Sequence, residues 1–281
     1  MLPDILLLDN GSLKPAATLQ LRRLAEQLSG MCQLQVSPVS LAHANKIDPA
    51  EIDDTPALVF LEFMDNRLQQ GQIDFIVLPL FFGPSKAISS AIPEQVTQLK
   101  QKHGEFNLHI ADTIYPLPAT EIMLIELLAS LTLDCVHTTG FENARCVLVD
   151  HGSPSPAVTA VREHITNSLQ KTLPDISIDQ AVMERRSGKE YDFNGMLLEE
   201  WLDKQANDSS SKDTSTEVIV IQLFFLPGRH AGPGGDIEQI CVNALNNNPE
   251  MRIVATALVS EHPLILEILR DRIVHTLKSL Q

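Results

Sequence analysis

The sequence predicts an α/β protein built from two duplicated lobes, each a parallel sheet of about four strands flanked by helices. Three observations predict it. Short apolar runs alternate with amphipathic stretches of helical period along most of the chain, and that alternation makes parallel sheets with helices on both faces. The chain also matches itself: Leu6-Leu-Leu-Asp-Asn-Gly-Ser12 returns as Val147-Leu-Val-Asp-His-Gly-Ser153, and Val77-Leu-Pro-Leu-Phe-Phe82 as Val220-Ile-Gln-Leu-Phe-Phe225. A period this long means a duplicated domain, not a solenoid. Finally, several apolar runs stop abruptly in turns rich in His, Gly, Ser and Glu, the residues expected where strands end at the ligand-binding edge of an open sheet.

The elements follow in order. Residues 5–9 read as a strand, and Leu21, Leu24, Ala25 and Leu28 give an apolar face to a helix over Pro15–Ser29. Residues 32–37 alternate as a second strand. Val39 to Thr55 is polar and reads as a loop. A helix over 56–70, a strand over 75–82, a turn at Gly83–Lys86, a helix to Lys102, a short strand at His109–Ala111 and a helix over 119–133 complete the first lobe. The join is expected near His137–Glu142, giving lobes of 1–137 and 143–281. In the second lobe a strand ends at Asp150 and a helix carries Ala157, Val158, Val161, Ile165 and Leu169. A strand over Ile176–Met183 runs into Glu184, and another ends near Phe225. Asn207 to Thr216 is a polar loop expected to be mobile.

Composition narrows the function classes. A formal charge of −15 over 281 residues argues against nucleic-acid binding through the general field. It can attract metal cations, although acidity serves solubility in the plainer reading, and it obliges any anionic ligand to find a local basic patch. No apolar run reaches the roughly 18 residues of a spanning helix, and the start lacks the positive segment of a secretory signal, so no membrane association is expected. Four distant cysteines without a CxxC pair suit a reduced, cytoplasmic setting.

The chemistry gathers at the second lobe's strand ends. In a parallel sheet all strands finish on one edge, so His151, Glu184 and His230 converge there, a plausible donor set for a divalent first-row metal. Each has a plainer fate: His151 can cap the following helix, Glu184 can pair with Arg185 or Arg186, and His230 can sit in a merely flexible glycine loop. The remaining seven histidines look structural or exposed, and His43, His103, His109 and His137 have no acidic or histidine partner at a useful spacing. The segment from Gly228 to Gly235 lacks the Lys-Ser/Thr of a phosphate loop and is no GxGxxG, so no nucleotide is expected. A serine nucleophile at Ser153 lacks the G-x-S-x-G elbow.

The turn His151-Gly-Ser153, the acid closing the next strand, and Leu223-Phe-Phe-Leu-Pro-Gly-Arg-His230 before a helix together resemble the class II tetrapyrrole chelatases, and within them the sirohydrochlorin cobaltochelatase/ferrochelatase family. The resemblance covers nearly the whole chain. It implies two lobes facing a central cleft, and insertion of Co2+ or Fe2+ into sirohydrochlorin or a related anionic tetrapyrrole of siroheme or cobalamin synthesis. His151 and His230 would be the metal-binding and proton-accepting pair and Glu184 their acidic partner. The metal is a substrate, no nucleotide is required, and the protein would be a monomer or homodimer. The first lobe departs from the pattern, with Asn10 in place of the turn's histidine and Ser85-Lys86 where the second lobe has Arg229-His230. The metal chemistry is therefore expected in the second lobe alone. Ser153, Arg185, Arg186, Arg229, Lys86 and Asn10 are the candidates for holding the substrate. A non-catalytic metal or tetrapyrrole carrier or sensor on the same fold is the alternative.

Overall fold

A computed structural model describes residues 2–207 and 216–280. The chain folds into two compact units: Met1–Glu121 with Pro263–Gln281, and Ile122–His262. In the first lobe β1 (Asp4–Asp9), α1 (Pro15–Cys32), β2 (Val36–Ser40), α2 (Phe60–Gln69), β3 (Asp74–Pro79), α3 (Ile92–His103) and β4 (Asn107–Ile110) form a four-stranded parallel sheet, order β2-β1-β3-β4. In the second, α4 (Ile122–Thr139), β5 (Arg145–Asp150), α5 (Pro156–Thr172), β6 (Ser177–Val182), α6 (Leu198–Ala206), β7 (Glu217–Gln222), α7 (Asp236–Asn247) and β8 (Arg252–Ala255) repeat that topology, order β6-β5-β7-β8. Helix α8 (Leu264–Ser279) ends the chain.

The central strands are apolar because both faces are covered. Side chains alternate along β5: Val147 and Val149 join the core formed by Leu198, Trp201 and Leu202 of α6 and Ile237 and Cys241 of α7. Leu6 and Leu8 of β1 do the same with Phe60, Phe63, Met64 and Ile92. The other face of the second sheet is covered by α4 and α5, and that of the first by α1 and α8.

The closing helices do not follow the repeat boundary. The first repeat's last helix, α4, packs against α5 and β7, whereas α8 packs against α1 and β3. Arg272 fixes α8 by donating to the carbonyls of Thr113 and Ile114 (3.1 Å each) and pairing with Glu121. The boundaries read from sequence, 1–137 and 143–281, miss this exchange. Helix α4 is the most apolar of the described helices long enough to be compared with a membrane span, although Glu126 and Asp134 interrupt it. Its 18 residues have a mean hydropathy of 1.4, long and apolar enough to cross a membrane by length and composition; 39% of that window is buried inside the protein.

Three local readings shift. Helix α1 runs on through Cys32 and ends at Gln33, whose φ of 54° breaks the helix, so β2 starts at Val36 and not at 32. The stretch read as a loop over 39–55 ends β2 and contains two 3-10 turns, which bury Ala44, Ile47 and Ile52 with Ala57. After β6 a 3-10 turn, Lys189–Asn194, was not anticipated. Of the polar loop expected over 207–216, residues 208–215 lie outside the described residues.

Candidate functional site

The site is built at the carboxyl edge of the second sheet, where the parallel ladder runs on into its turns. Met183 donates to the Asp150 carbonyl (2.9 Å) and Glu184 to that of His151 (3.1 Å). Between them Gly152 adopts φ +88°, and a Cβ there would lie 1.9 Å from the Glu184 carbonyl oxygen. Only glycine fits, for both reasons. The stretch carrying His151 is thus stitched to the one carrying Glu184.

A buried polar frame holds this turn from below. Arg162 of α5, its side chain 2% exposed, donates to Asp150 Oδ1 (2.8 Å), Gln180 Oε1 (3.0 Å) and the Asn194 carbonyl (2.7 Å). Asp150 Oδ1 also accepts the Gly152 N–H at 3.0 Å. Asn194, in the 3-10 turn, accepts the Ser153 N–H (3.1 Å) and donates to the Ser153 carbonyl (2.9 Å). Burial pushes the Asp150 carboxyl up from its ordinary range, and the Arg162 charge and hydrogen bond oppose that push.

His151 Nδ1 lies 3.0 Å from the Gly152 carbonyl, so that nitrogen carries the hydrogen and donates. Its other nitrogen, Nε2, faces Glu184 Oε1 at 3.3 Å. The His230 ring stands edge-on to that of His151, centroids 4.5 Å apart and planes at 80°. His230 is delivered by a loop closed on the start of α7: Gly228 donates to the Ala231 carbonyl, Asp236 to that of Arg229 and Ile237 to that of His230, at 2.8, 3.0 and 3.0 Å. Its Nδ1 is 2.7 Å from Asp236 Oδ2. The three side chains read from sequence as a site, His151, His230 and Glu184, are therefore neighbours. They are not a closed ligand shell: among the described residues no group of three or more His, Cys, Asp or Glu is arranged to hold a metal ion.

Comparison with known proteins agrees with the two-lobed reading. The CbiX family model matches residues 4–129 and again 145–276, nearly the whole chain in two copies. The chain belongs to the CbiX family. Its fold is similar to that of SirB from Bacillus subtilis with Fe3+ (16% identity, 98% of this chain and 96% of that one, TM-score 0.70). It is similar too to the sirohydrochlorin chelatase SirB from Bacillus subtilis subspecies spizizenii in complex with cobalt (16%, 98% and 95%, 0.68). A third similar structure is CbiX, described as the terminal enzyme for biosynthesis of siroheme in denitrifying bacteria (17%, 97% and 98%, 0.61). No match was found among curated protein sequences.

Within this CbiX-family chain the expected substrate-holding residues divide. Arg229 is 79% exposed, with Nε 3.8 Å from Asp236. Arg185 is tied to its neighbouring loop: it donates to the Gly195 carbonyl at 2.7 Å and lies 3.9 Å from both Asp192 and Glu200. Arg186 stacks over Tyr191, 5.9 Å from the ring centre. Ser153 Oγ accepts the Ser155 N–H at 3.1 Å, fixing the entry to α5. Lys86 and Asn10 are exposed beyond the strand ends of the first sheet. The reading of His103 as unpartnered is corrected, because its Nε2 meets Asp65 Oδ1 at 2.6 Å.

Asp236, Arg162 and Asn194 were not singled out from sequence. A signal existed for Arg162: it sits among Val161, Ile165 and Leu169 on the buried stripe of its helix, where a charge needs a buried partner. Asp236 had a weaker one, an acid opening a helix six residues after a candidate histidine.

Proposed function

We propose that this chain is a sirohydrochlorin chelatase, inserting Co2+ or Fe2+ into sirohydrochlorin or a closely related anionic tetrapyrrole. The observation that carries the reading is the facing of His151 Nε2 and Glu184 Oε1 at 3.3 Å. With the imidazole neutral and its hydrogen on Nδ1, neither atom has a hydrogen to offer the other, and a cation shared between them satisfies both. Two ligand atoms bound tetrahedrally to one first-row ion, at bonds of about 2.0–2.2 Å, stand about 3.3 Å apart. The half-exposed setting, with few donors, suits an ion that must leave for the macrocycle and not stay. Family membership supports the same reading.

Metalation exchanges one divalent ion for two pyrrole N–H protons, with no change of oxidation state, so neither nucleotide nor redox cofactor enters. In this reading His151 and Glu184 receive the ion together with Nε2 of His230, which is freed when the ion passes to the macrocycle. His230, edge-on to His151, takes a pyrrole proton through its free Nε2, a task suited to imidazole. Arg229, highly exposed beside His230, is the best placed of the basic residues to meet a substrate carboxylate. Arg185 and Arg186 shape the neighbouring loop and contribute positive charge against the overall −15. We place the protein in the cytoplasm, a compartment that suits its four free cysteines.

The test is to follow sirohydrochlorin absorbance with Co2+ or Fe2+ and a small amount of protein. A chelatase converts many molecules of substrate per protein molecule. Conversion limited to one equivalent or less overturns the reading in favour of a carrier.

A further inference from the structure

We propose that Asp236 is the positioning residue for His230: it holds the imidazole with its hydrogen on Nδ1 and turns Nε2 outward as the reactive nitrogen. The inference rests on the chelatase reading and deepens it. A carboxylate only accepts hydrogen bonds, so the 2.7 Å contact between Asp236 Oδ2 and His230 Nδ1 requires the hydrogen on Nδ1. The Gly152 carbonyl sets His151 the same way. Both rings then present Nε2, one held by a backbone acceptor and one by a charged acceptor. A carboxylate behind an imidazole also makes its free nitrogen a stronger base and ligand.

The backbone makes this hold firm. The Asp236 N–H donates to the Arg229 carbonyl and the next N–H to that of His230. The loop that carries the histidine therefore also fixes the residue that orients it.

Two plainer roles compete. An acid in the first turn of α7 is favourable for the helix dipole wherever it points. Asp236 also lies near Arg229, but at 3.8 Å against 2.7 Å to His230. The first lobe bears on the choice. There Lys86 stands at the place of His230, and the first residue of α3, matching Asp236 in the first position of α7, is Ile92, fully buried. The helical run of that lobe already begins at Ala87, so Ile92 lies inside it, and the acid is present only in the lobe that has the histidine.

The experiment compares full-length parent protein with Asp236→Ala, Asp236→Asn and Asp236→Glu. Nitrogen-15 shifts of the His230 ring at pH 8, without metal, report the tautomer. Absorbance titration with Co2+ alone reports metal affinity, and insertion kinetics report kcat and KM. The Ala variant is expected to lose the Nδ1–H form, to bind Co2+ 10- to 100-fold more weakly and to lose kcat by a similar factor with little change in the tetrapyrrole KM. The Glu variant should recover part of each loss, and Asn, which can still accept from Nδ1–H without a charge, should fall between parent and Ala. A helix-start role alone would move the melting temperature and leave tautomer and cobalt affinity as in the parent, and that result overturns the proposal. If the Ala variant does not fold, the Asn variant decides, an unchanged tautomer and cobalt affinity again overturning the proposal. Should the parent bind Co2+ but insert none, while tautomer and affinity shift in the variants, the role of Asp236 stands and the chelatase reading fails.

Discussion

The two lobes make the same turn and equip it differently. After β1, Gly11 adopts φ +86°, and a Cβ there would lie 1.8 Å from the Ala42 carbonyl oxygen; after β5, Gly152 adopts +88° and the distance to Glu184 is 1.9 Å. Leu41 donates to Asp9 as Met183 does to Asp150, at 2.8 and 2.9 Å, and Ala42 to Asn10 as Glu184 does to His151, at 3.3 and 3.1 Å. These paired lengths agree to within about 0.2 Å, yet several side chains around the turn differ in chemistry. Asn10 corresponds to His151, Ala42 to Glu184, Lys86 to His230, Ile92 to Asp236, and on the supporting helix Leu21 to Arg162. The glycine of the turn belongs to the fold, because two strand ends must approach closely. The site belongs to the residues around it, and they are found together in one lobe only.

The sharpest way to break this asymmetry is to remove the central residue of each turn. His151→Ala should lower the insertion rate by roughly 10^2- to 10^4-fold, the range for loss of a group that handles protons or metal in the reaction. Asn10→Ala should lower it by less than about tenfold. Both rates come from the same absorbance assay under saturating metal. Equal losses would mean that the first lobe carries reacting groups of its own.

A second comparison concerns what supports the turn. Arg162→Leu gives the second lobe the residue of the first and strips a buried donor from Asp150, Gln180 and the Asn194 carbonyl at once. Breaking one side of a buried ion pair costs about 3–5 kcal/mol. Urea denaturation should show that loss, whereas Leu21→Ala should cost about 2–5 kcal/mol through its cavity alone and leave the site's metal affinity in place. A loss under about 1 kcal/mol for Arg162→Leu would show that the frame does not hold the turn.

What the sequence made legible follows from these differences. Buried parallel strands announce themselves as apolar runs, so the two sheets, the duplication and the strand-end positions of His151, Glu184 and His230 were all readable. An apolar helix stripe does not record which sheet it covers, and for that reason the exchange of α4 and α8 was not. Nor does a basic residue in sequence reveal whether it faces solvent: Arg185 and Arg229 looked alike, yet one is tied to Gly195 and the other is open. Pairs such as His103 with Asp65, or Arg162 with Asp150, join residues from different elements, and no spacing rule brings them together.

The smallest effect in the comparison comes from the acid the two turns share. Asp150 meets a buried arginine; Asp9 does not, and its Oδ1 is buried without a hydrogen-bond partner. Burial pushes the Asp9 carboxyl above its ordinary range, with the hydrogen bonds from Ser40 and the Gly11 N–H opposing. A carboxyl whose folded-state pKa is raised favours the folded state while protonated. Its contribution is fully present below the unfolded value near 3.8 and is lost as pH rises through the folded one. Above the ordinary carboxylate range Asp9 therefore contributes against the fold. Asp9→Asn keeps the shape and removes that charge, so the variant should melt a few degrees higher than the parent at pH 8. The gain should shrink on acidification towards pH 4, close to the unfolded value. Asp150→Asn should gain less than Asp9→Asn at pH 8, because it also leaves Arg162 buried without its counter-charge. Melting curves of both variants at the two pH values decide the matter: if Asp9→Asn gives the same shift at pH 4 as at pH 8, the buried acid is not the source, and the two turns differ only in their reacting residues.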